Sequence, residues 1–352
     1  MITETVTIDE NNIDDSAKKA LQRAGQILKD GGLVAFPTET VYGLGGDALN
    51  PLSSKKIYAA KGRPSDNPLI VHVACMEDVG KIVSAVPKEA LKLSEAFWPG
   101  PLTMIMSRND KVPTETTGGL DTVAIRMPDN KIALELIRAA GGFIAAPSAN
   151  TSGRPSPTLA KYCEEDLSGK IEMIIDGGQV GIGVESTIVD LTSDTPMILR
   201  PGYITLDMLK EVLGDVEVDR TIIDSSSALK PKAPGMKYKH YAPKGELTIV
   251  EGEQEKVLEY INKRAQEQMS AGKKVGVIAT GKTALSYRAD VVKNVGDRDN
   301  EAAVAHELFK VLREFDDEGI DISFSEAFDD TGVGQAVMNR LLKAAGHRVI
   351  SL

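Results

Sequence analysis

The sequence predicts two α/β domains, a large one on a twisted mixed sheet and a smaller doubly wound one. Three observations predict them. Short apolar runs alternate with amphipathic stretches along most of the chain. A length of 352 residues is enough for two separate cores. A stretch rich in Ser and Pro, with Ser225-Ser-Ser and Pro231, Pro234 and Pro243, separates an irregular strand rhythm from a regular one. The predicted boundaries are 1–220 for the large domain, 221–245 for a linker and 246–352 for the small domain.

Residues 14–30 read as a helix with Ala17, Leu21, Ala24 and Leu28 on one face, and Gly31-Gly32 stops it. Strands are expected at 33–37, 69–73, 102–106, 122–127, 142–146, 173–176, 186–191 and 197–200. Irregular spacing of helices and turns among them argues for one large mixed sheet. After the linker the pattern turns regular. Strands at 247–250, 274–279, 291–295, 320–324 and 348–351 alternate with helices at 254–271, 301–318 and 332–345, which gives a small Rossmann-like domain.

Composition bounds the function. The formal charge is −10, and the part from 246 onward, with 14 Lys and Arg against 19 Asp and Glu, carries half of it. Non-specific coating of nucleic acid needs a basic surface, and neither part supplies one. No apolar run is long enough for a membrane span, and residues 1–15 have no apolar stretch of the kind a secretory signal needs. Cys75 and Cys163 fit no metal or redox spacing. A reducing cytoplasm is the expected compartment.

Several constellations carry chemistry, each with a plainer alternative. Phe36-Pro-Thr-Glu-Thr-Val-Tyr-Gly-Leu-Gly-Gly46 runs a strand into polar residues and three glycines. The glycines permit close backbone approach to a ligand, or simply make a turn. Lys61-Gly-Arg-Pro-Ser-Asp-Asn67 follows a basic stretch with no acidic residue. Lys61 and Arg63, one residue apart in a Gly/Pro-ordered loop, suit phosphate oxygens, whereas Lys55 and Lys56 read better as a solvated face. No P-loop pattern is present. In Thr122-Val-Ala-Ile-Arg-Met-Pro128, alternation puts Thr122, Ala124 and Arg126 on one face. An arginine in such a strand needs an anionic partner, either a structural carboxylate or a ligand's.

Ala145-Ala-Pro-Ser-Ala-Asn-Thr-Ser-Gly-Arg-Pro-Ser156 delivers Ser148, Asn150, Thr151, Ser152 and Ser156 at a strand's carboxyl end. That arrangement fits anion or ribose contacts, or a satisfied turn. Ser186 and Arg200 stand at the ends of two further apolar strands. His72 lies mid-strand on the face of Ile70, a position that usually means a hydrogen-bonded core histidine. No two histidines have ligand spacing. Gly332-Val-Gly-Gln-Ala-Val337 lacks the third glycine of a dinucleotide fingerprint and reads as a plain helix start.

Four of these motifs together resemble the YrdC family: Pro37-Thr-Glu-Thr-Val-Tyr-Gly-Leu-Gly, Lys61-Gly-Arg-Pro with Asn-Pro-Leu-Ile-Val-His72, Pro147-Ser-Ala-Asn and Glu185-Ser-Thr-Ile-Val-Asp190. Their order and spacing match across 25–210, and the rest resembles the linker and extra domain of long, two-domain members. The resemblance implies L-threonylcarbamoyladenylate synthesis from L-threonine, bicarbonate and ATP, as the first step of a tRNA modification. It also implies Mg²⁺ brought with ATP, no organic cofactor and no dedicated protein metal ligands. ATP would be held by Lys61, Arg63, Asn67, Thr122, Ser148, Asn150, Ser156, Arg200 and Tyr238, with Lys61 and Arg63 serving catalysis. Threonine would be held by Thr40, His72, Arg126, Ala146 and Ser186. Implied partners are downstream threonylcarbamoyl-transfer proteins, with tRNA at most transient. The linker, which carries Lys237-Tyr-Lys-His-Tyr241, is expected to fold back over the site as a lid. An RNA-binding module is the competing reading, and a carbamoyl-transfer domain from a larger maturation enzyme is a third. The acidity of both parts and the absence of cysteine-rich zinc motifs weigh against these.

Overall fold

In the computed structural model, which describes residues 1–219 and 241–352, the chain forms two compact units. One comprises Met1–Ser152 and the described residues from Ser156 to 219; the other comprises Gly153–Pro155 and residues 241–352. Most of the expected linker, with Tyr238 and the proposed lid, lies outside the described residues.

The first unit holds an 11-stranded sheet. Its strands are β1 (Glu4–Thr7), β2 (Val34–Phe36), β3 (Gly43–Asp47), β4 (Ile70–His72), β5 (Leu102–Ser107), β6 (Thr122–Arg126), β7 (Ile144–Ala146), β8 (Met173–Asp176), β9 (Thr187–Asp190), β10 (Met197–Arg200) and β11 (Glu217–Val218). The order is β1-β8-β2-β3-β7-β4-β6-β5-β9-β10-β11, with parallel and antiparallel pairs mixed as expected. Strands β1, β3 and β11 were not anticipated from the pattern. β1 and β11 are short and partly exposed, so neither shows an apolar run. β3 is mostly glycine. Its glycines are closely packed: a Cβ on Gly45 would meet Ile144 Cγ2 at 2.9 Å, and one on Gly46 would meet Ile57 and Leu33 at 3.1 Å.

Helix α1 (Asp15–Lys29) starts where Asp14 accepts from the Ala17 amide at 2.8 Å. It ends where Gly31, at φ 78°, lets the amides of Gly31 and Gly32 turn back to Leu28 and Ile27. Leu21, Ala24 and Leu28 are buried as the period requires. Further helices are α2 (Pro51–Lys61), α3 (Met76–Ile82), α4 (Lys88–Phe97), α5 (Lys131–Ala139), α6 (Ala160–Leu167) and α7 (Leu206–Leu213). The main core packs Leu44, Val71, Met104, Ile125 and Val189 on one face of the sheet. The opposite face carries a smaller cluster of Ile70, Ile105, Ala124 and Ile188. Of the expected site residues, His72, Thr122 and Arg126 stand on that second face.

The second unit is an all-parallel sheet of order β14-β13-β15-β12-β16, made of β12 (Glu246–Glu251), β13 (Val275–Ala279), β14 (Val291–Asn294), β15 (Ile322–Glu326) and β16 (Val349–Ser351). Helices α8 (Gln254–Ser270), α9 (Glu301–Asp317) and α10 (Gly334–Ala344) connect its strands. Each expected element of this unit is present. The start of α10 is filled from within, since Glu301 accepts from the Gly334 amide at 2.9 Å.

Two helical glycines separate packing from propensity. On α1, a Cβ at Gly25 would lie 2.6 Å from Ala139 on α5, whereas one at Gly80 on α3 meets nothing within 4 Å. Gly80→Ala should raise stability by about 0.5–1 kcal/mol. Gly25→Ala gains the same propensity but overpacks at a cost of about 1–3 kcal/mol, so it should lower stability. Denaturant midpoints of the two variants should move in opposite directions; a rise for both would show that the α1–α5 contact yields freely.

Candidate functional site

Lys61 closes α2, and Gly62 caps it in the left-handed region at φ 62°. The lysine is only 2% exposed. Its Nζ donates to the carbonyl oxygens of Ser148 and Asn150 and, at 3.3 Å, to Asn150 Oδ1. An ammonium has three N–H groups, so in this structure Lys61 is committed to the 148–150 turn. Ser148 Oγ donates to Asn150 Oδ1 at 2.6 Å, and the Ser152 amide donates to Lys61 O at 2.8 Å. Arg63 Nη2 donates to the carbonyl oxygens of Asn67 (3.3 Å) and Pro68 (3.1 Å). The Tyr58 hydroxyl donates toward Asn67 O at 3.1 Å, and burial pushes this phenol up to about 12, so it stays protonated. Asn67 Oδ1 is buried and accepts no hydrogen bond. Lys61 thus holds the 148–150 turn and Arg63 the 67–68 segment, each through backbone carbonyls.

A second group stands on the sheet. Ile144, His72, Arg126 and Thr103 are successive partners across β7, β4, β6 and β5. Thr103 pairs in turn with Ile188, and Ile188 with Arg200 on β10. Paired residues share a face, and strands lie about 4.8 Å apart. His72, Arg126 and Thr103 therefore form a short polar row on adjacent strands, with Ile144 and Ile188 flanking it and Arg200 reached across a β-bulge in β10. His72 is buried, with Nδ1 3.2 Å from Ile70 O. Desolvation and the neighbouring Arg126 push it from 6.5 down to about 3, so it is neutral. Below pH 6.5 the unfolded chain binds a proton that the folded chain refuses. The stability tied to neutral His72 is therefore complete above that pH and declines toward pH 3.

Arg126 is 4% exposed. Its Nε donates to Gly100 O at 3.4 Å, and its Nη2 lies 2.6 Å from Glu39 Oε2. The latter contact is close enough for an ion pair but off the hydrogen-bond direction: Arg126 Nη2 and both Glu39 oxygens are buried without a hydrogen bond. The anionic partner required by the strand pattern is, in this structure, a carboxylate of the chain.

Ser186 is fully buried, with Oγ 2.8 Å from Thr103 Oγ1. Arg200 donates to Ser186 O through Nε (3.0 Å) and to its Oγ through Nη2 (3.1 Å). Ser156 Oγ donates to Glu185 Oε1 at 2.5 Å. The amides of Ile182 and Gly183 donate to the carbonyls of Glu39 and Thr40, which docks the 182–186 loop on the Thr38–Thr40 turn. Thr40 Oγ1 lies 2.9 Å from Thr38 Oγ1, and Ala146 pairs with Ile70 beside His72. Thr122 stands apart. It pairs with Ser107 at the far end of β6, about 13 Å along the strand from Arg126. Glu39, Thr103 and Glu185 were given no role from the sequence. Glu39 and Glu185 lie inside recognised motifs, and that position was the available signal. Among the described residues no cluster of His, Cys, Asp and Glu is suited to hold a metal ion.

The second unit has a cleft of about 420 Å³ at the carboxyl ends of β12 and β15, lined by Gly252, Gln254, Arg298, Glu326 and Phe328 among others. Its buried Glu326 accepts from Thr280 (3.2 Å), Thr283, Tyr287 (2.8 Å) and Arg298 (2.7 Å).

Comparison with known proteins matches both units. Residues 26–202 match the Sua5/YciO/YrdC family, described as telomere recombination, and 204–346 match a family described as threonylcarbamoyl-AMP synthase, C-terminal domain. A Pyrococcus abyssi protein named threonylcarbamoyl-AMP synthase is 49% identical over 329 residues, covering 94% of this chain and 95% of that protein. A Bacillus subtilis protein of the same name is 49% identical over 331 residues and covers 94% of each. The solved structure of P. abyssi Sua5 complexed with L-threonine superposes with a TM-score of 0.93 at 46% identity, covering 100% of both chains. By fold, by its matched domains and by relatives along nearly its whole length, the chain belongs to the Sua5/YciO/YrdC family, in the form that carries the additional C-terminal domain.

Proposed function

We propose that this chain is an L-threonylcarbamoyladenylate synthase working on tRNA modification in the cytoplasm. One observation carries the reading: relatives of that name align over 94% of the chain, through both units and not only the shared first one. The threonine amine and bicarbonate combine to a carbamate with loss of water. A carbamate oxygen then attacks the ATP α-phosphorus, the bond to the β-phosphate oxygen breaks, and pyrophosphate leaves. The substrate supplies the nucleophile, so the protein's work is positioning and charge stabilisation. Mg²⁺ enters as part of the Mg–ATP substrate, its shell completed by phosphates and water.

In this reading Lys61, Arg63 and Arg200 bind the triphosphate, and Asn67, Thr122, Ser148, Asn150 and Ser156 fix phosphates and nucleoside. The unsatisfied Asn67 Oδ1 supports a ligand there. Arg126 takes the threonine carboxylate. Thr40, neutral His72, Ser186 and the Ala146 backbone surround the rest of the amino acid. The product passes to threonylcarbamoyl-transfer proteins, and contact with tRNA is transient. No helix among the described residues is long and apolar enough to cross a membrane.

Pyrophosphate should appear only when Mg–ATP, bicarbonate and L-threonine are all present. Serine, lacking one methyl, should be about 10–200-fold poorer in kcat/KM. ATP turnover at the same rate without threonine would overturn the assignment.

Calorimetry separates the two ligand groups. Arg63→Ala and Lys61→Ala should weaken ATP binding at least tenfold, the scale of one charge-assisted contact. Arg126→Ala should instead weaken threonine binding with ATP affinity nearly unchanged. Intact threonine affinity in Arg126→Ala would make that arginine structural.

A further inference from the structure

Among the described residues of the first unit, Glu39 is the one whose carboxylate has both oxygens buried and no hydrogen bond. A carboxylate has room for about four. The side chain is 12% exposed and touches Arg126, 5% exposed, only through the off-axis 2.6 Å contact. Buried carboxylates are normally hydrogen-bonded, and a buried pair without such bonds is poorly compensated for desolvation. The turn that presents Glu39 is firmly built: Thr38 Oγ1 accepts from the Thr40 amide at 3.1 Å and donates to Val41 O at 2.7 Å. The Glu39 carbonyl is itself engaged by Ile182. The backbone is fixed, therefore, while the carboxylate is left with bonds to make.

We propose that Glu39 binds the ammonium group of the amino-acid substrate, so that Glu39 and Arg126 together read its zwitterion. The inference rests on the reading that Arg126 takes the substrate carboxylate. An amino acid brings one negative and one positive group on adjacent atoms, matched to a cation and an anion already in contact. Exchanging the Glu39–Arg126 pair for two protein–ligand pairs leaves no charge unpaired, and the ammonium supplies the N–H donors that Glu39 lacks. Of the charged and titratable groups described around Arg126, the arginine is itself a cation and neutral His72 offers at most one acceptor nitrogen. Glu39 is the group with the charge and the free acceptors to hold an ammonium. Glu39 is then a specificity-determining residue that selects an α-amino acid over the corresponding hydroxy acid.

The test compares L-threonine with 2,3-dihydroxybutanoate of matching configuration, in which a hydroxyl replaces the ammonium, by calorimetry on the full chain. The wild type should prefer threonine strongly. Glu39→Gln should lose at least tenfold in threonine affinity, keep ATP affinity within about twofold and bind the dihydroxy acid no worse, so the preference collapses. Glu39→Asp, which keeps the charge on a shorter arm, should retain part of the preference and keeps the test open if the glutamine variant does not fold. Equal losses for both ligands in Glu39→Gln, or unchanged threonine affinity, would overturn the proposal. Arg126→Ala distinguishes the two levels. If it abolishes binding of both acids while Glu39→Gln leaves the preference intact, only the role of Glu39 fails. If it leaves threonine binding intact, the underlying site assignment fails as well.

Discussion

A guanidinium in the middle of a sheet is the constraint from which the rest of the first unit's site follows. Arg126 ends β6, which is flanked by β4 and β5, and is almost wholly buried there. A bare charge there would cost several kcal/mol. Three features answer that cost: the Gly100 carbonyl, the Glu39 carboxylate and a neighbouring histidine held neutral. A charged His72 would place two cations side by side on paired strands. Desolvation and Arg126 itself both prevent this, so the row carries one positive charge at that point and one carboxylate facing it.

Lys61 meets the same constraint by another route. Its ammonium donates to backbone and amide oxygens of the 148–150 turn, whose carbonyl dipoles stabilise the cation. A phosphate that engaged Lys61 would compete with those carbonyls for its N–H groups. Anion binding and the shape of the turn after β7 are thereby coupled, which ties Lys61 to Ser148 and Asn150 as one unit.

Local signals were the legible ones. The apolar face of α1, the glycine stop after it and every element of the second unit could be read from the chain, because period and punctuation there reflect near-neighbour physics. The central strands β13 and β15 of the parallel second sheet are buried along their length, and β13 also announces itself as an apolar run. Less was legible where pairing is long-range. β3 consists of glycines whose reason is Phe36, Ile144 and Ile57 pressing from other elements. β1 and β11 borrow their strand character from β8 and β10. The chemistry of the site was legible as residue types out of place, a cation in a strand or a lysine after a basic stretch. Who partners whom was not. That Arg126 faces Glu39, 87 positions away, and that Lys61 is held by carbonyls follow from a fold no local pattern encodes.

Two glutamates, Glu326 buried whole and Glu39 with its carboxylate oxygens buried, show how much partners can differ. Glu326 sits at the end of β15, 2% exposed, and its oxygens receive four donors, three hydroxyls and a guanidinium. Every lone pair it could use is answered from within its own unit. Removing it would strand those donors, and adding a ligand would mean displacing one of them. Glu39 has comparable chemistry and the opposite bookkeeping: one ion contact and no hydrogen bond. A carboxylate so placed is unfavourable for the empty fold, and a network left incomplete in this way marks a site whose missing members come from outside the chain. Burial alone therefore does not separate the two residues. The count of satisfied hydrogen bonds does: Glu326 is complete within its own unit, and Glu39 is left with acceptors to fill.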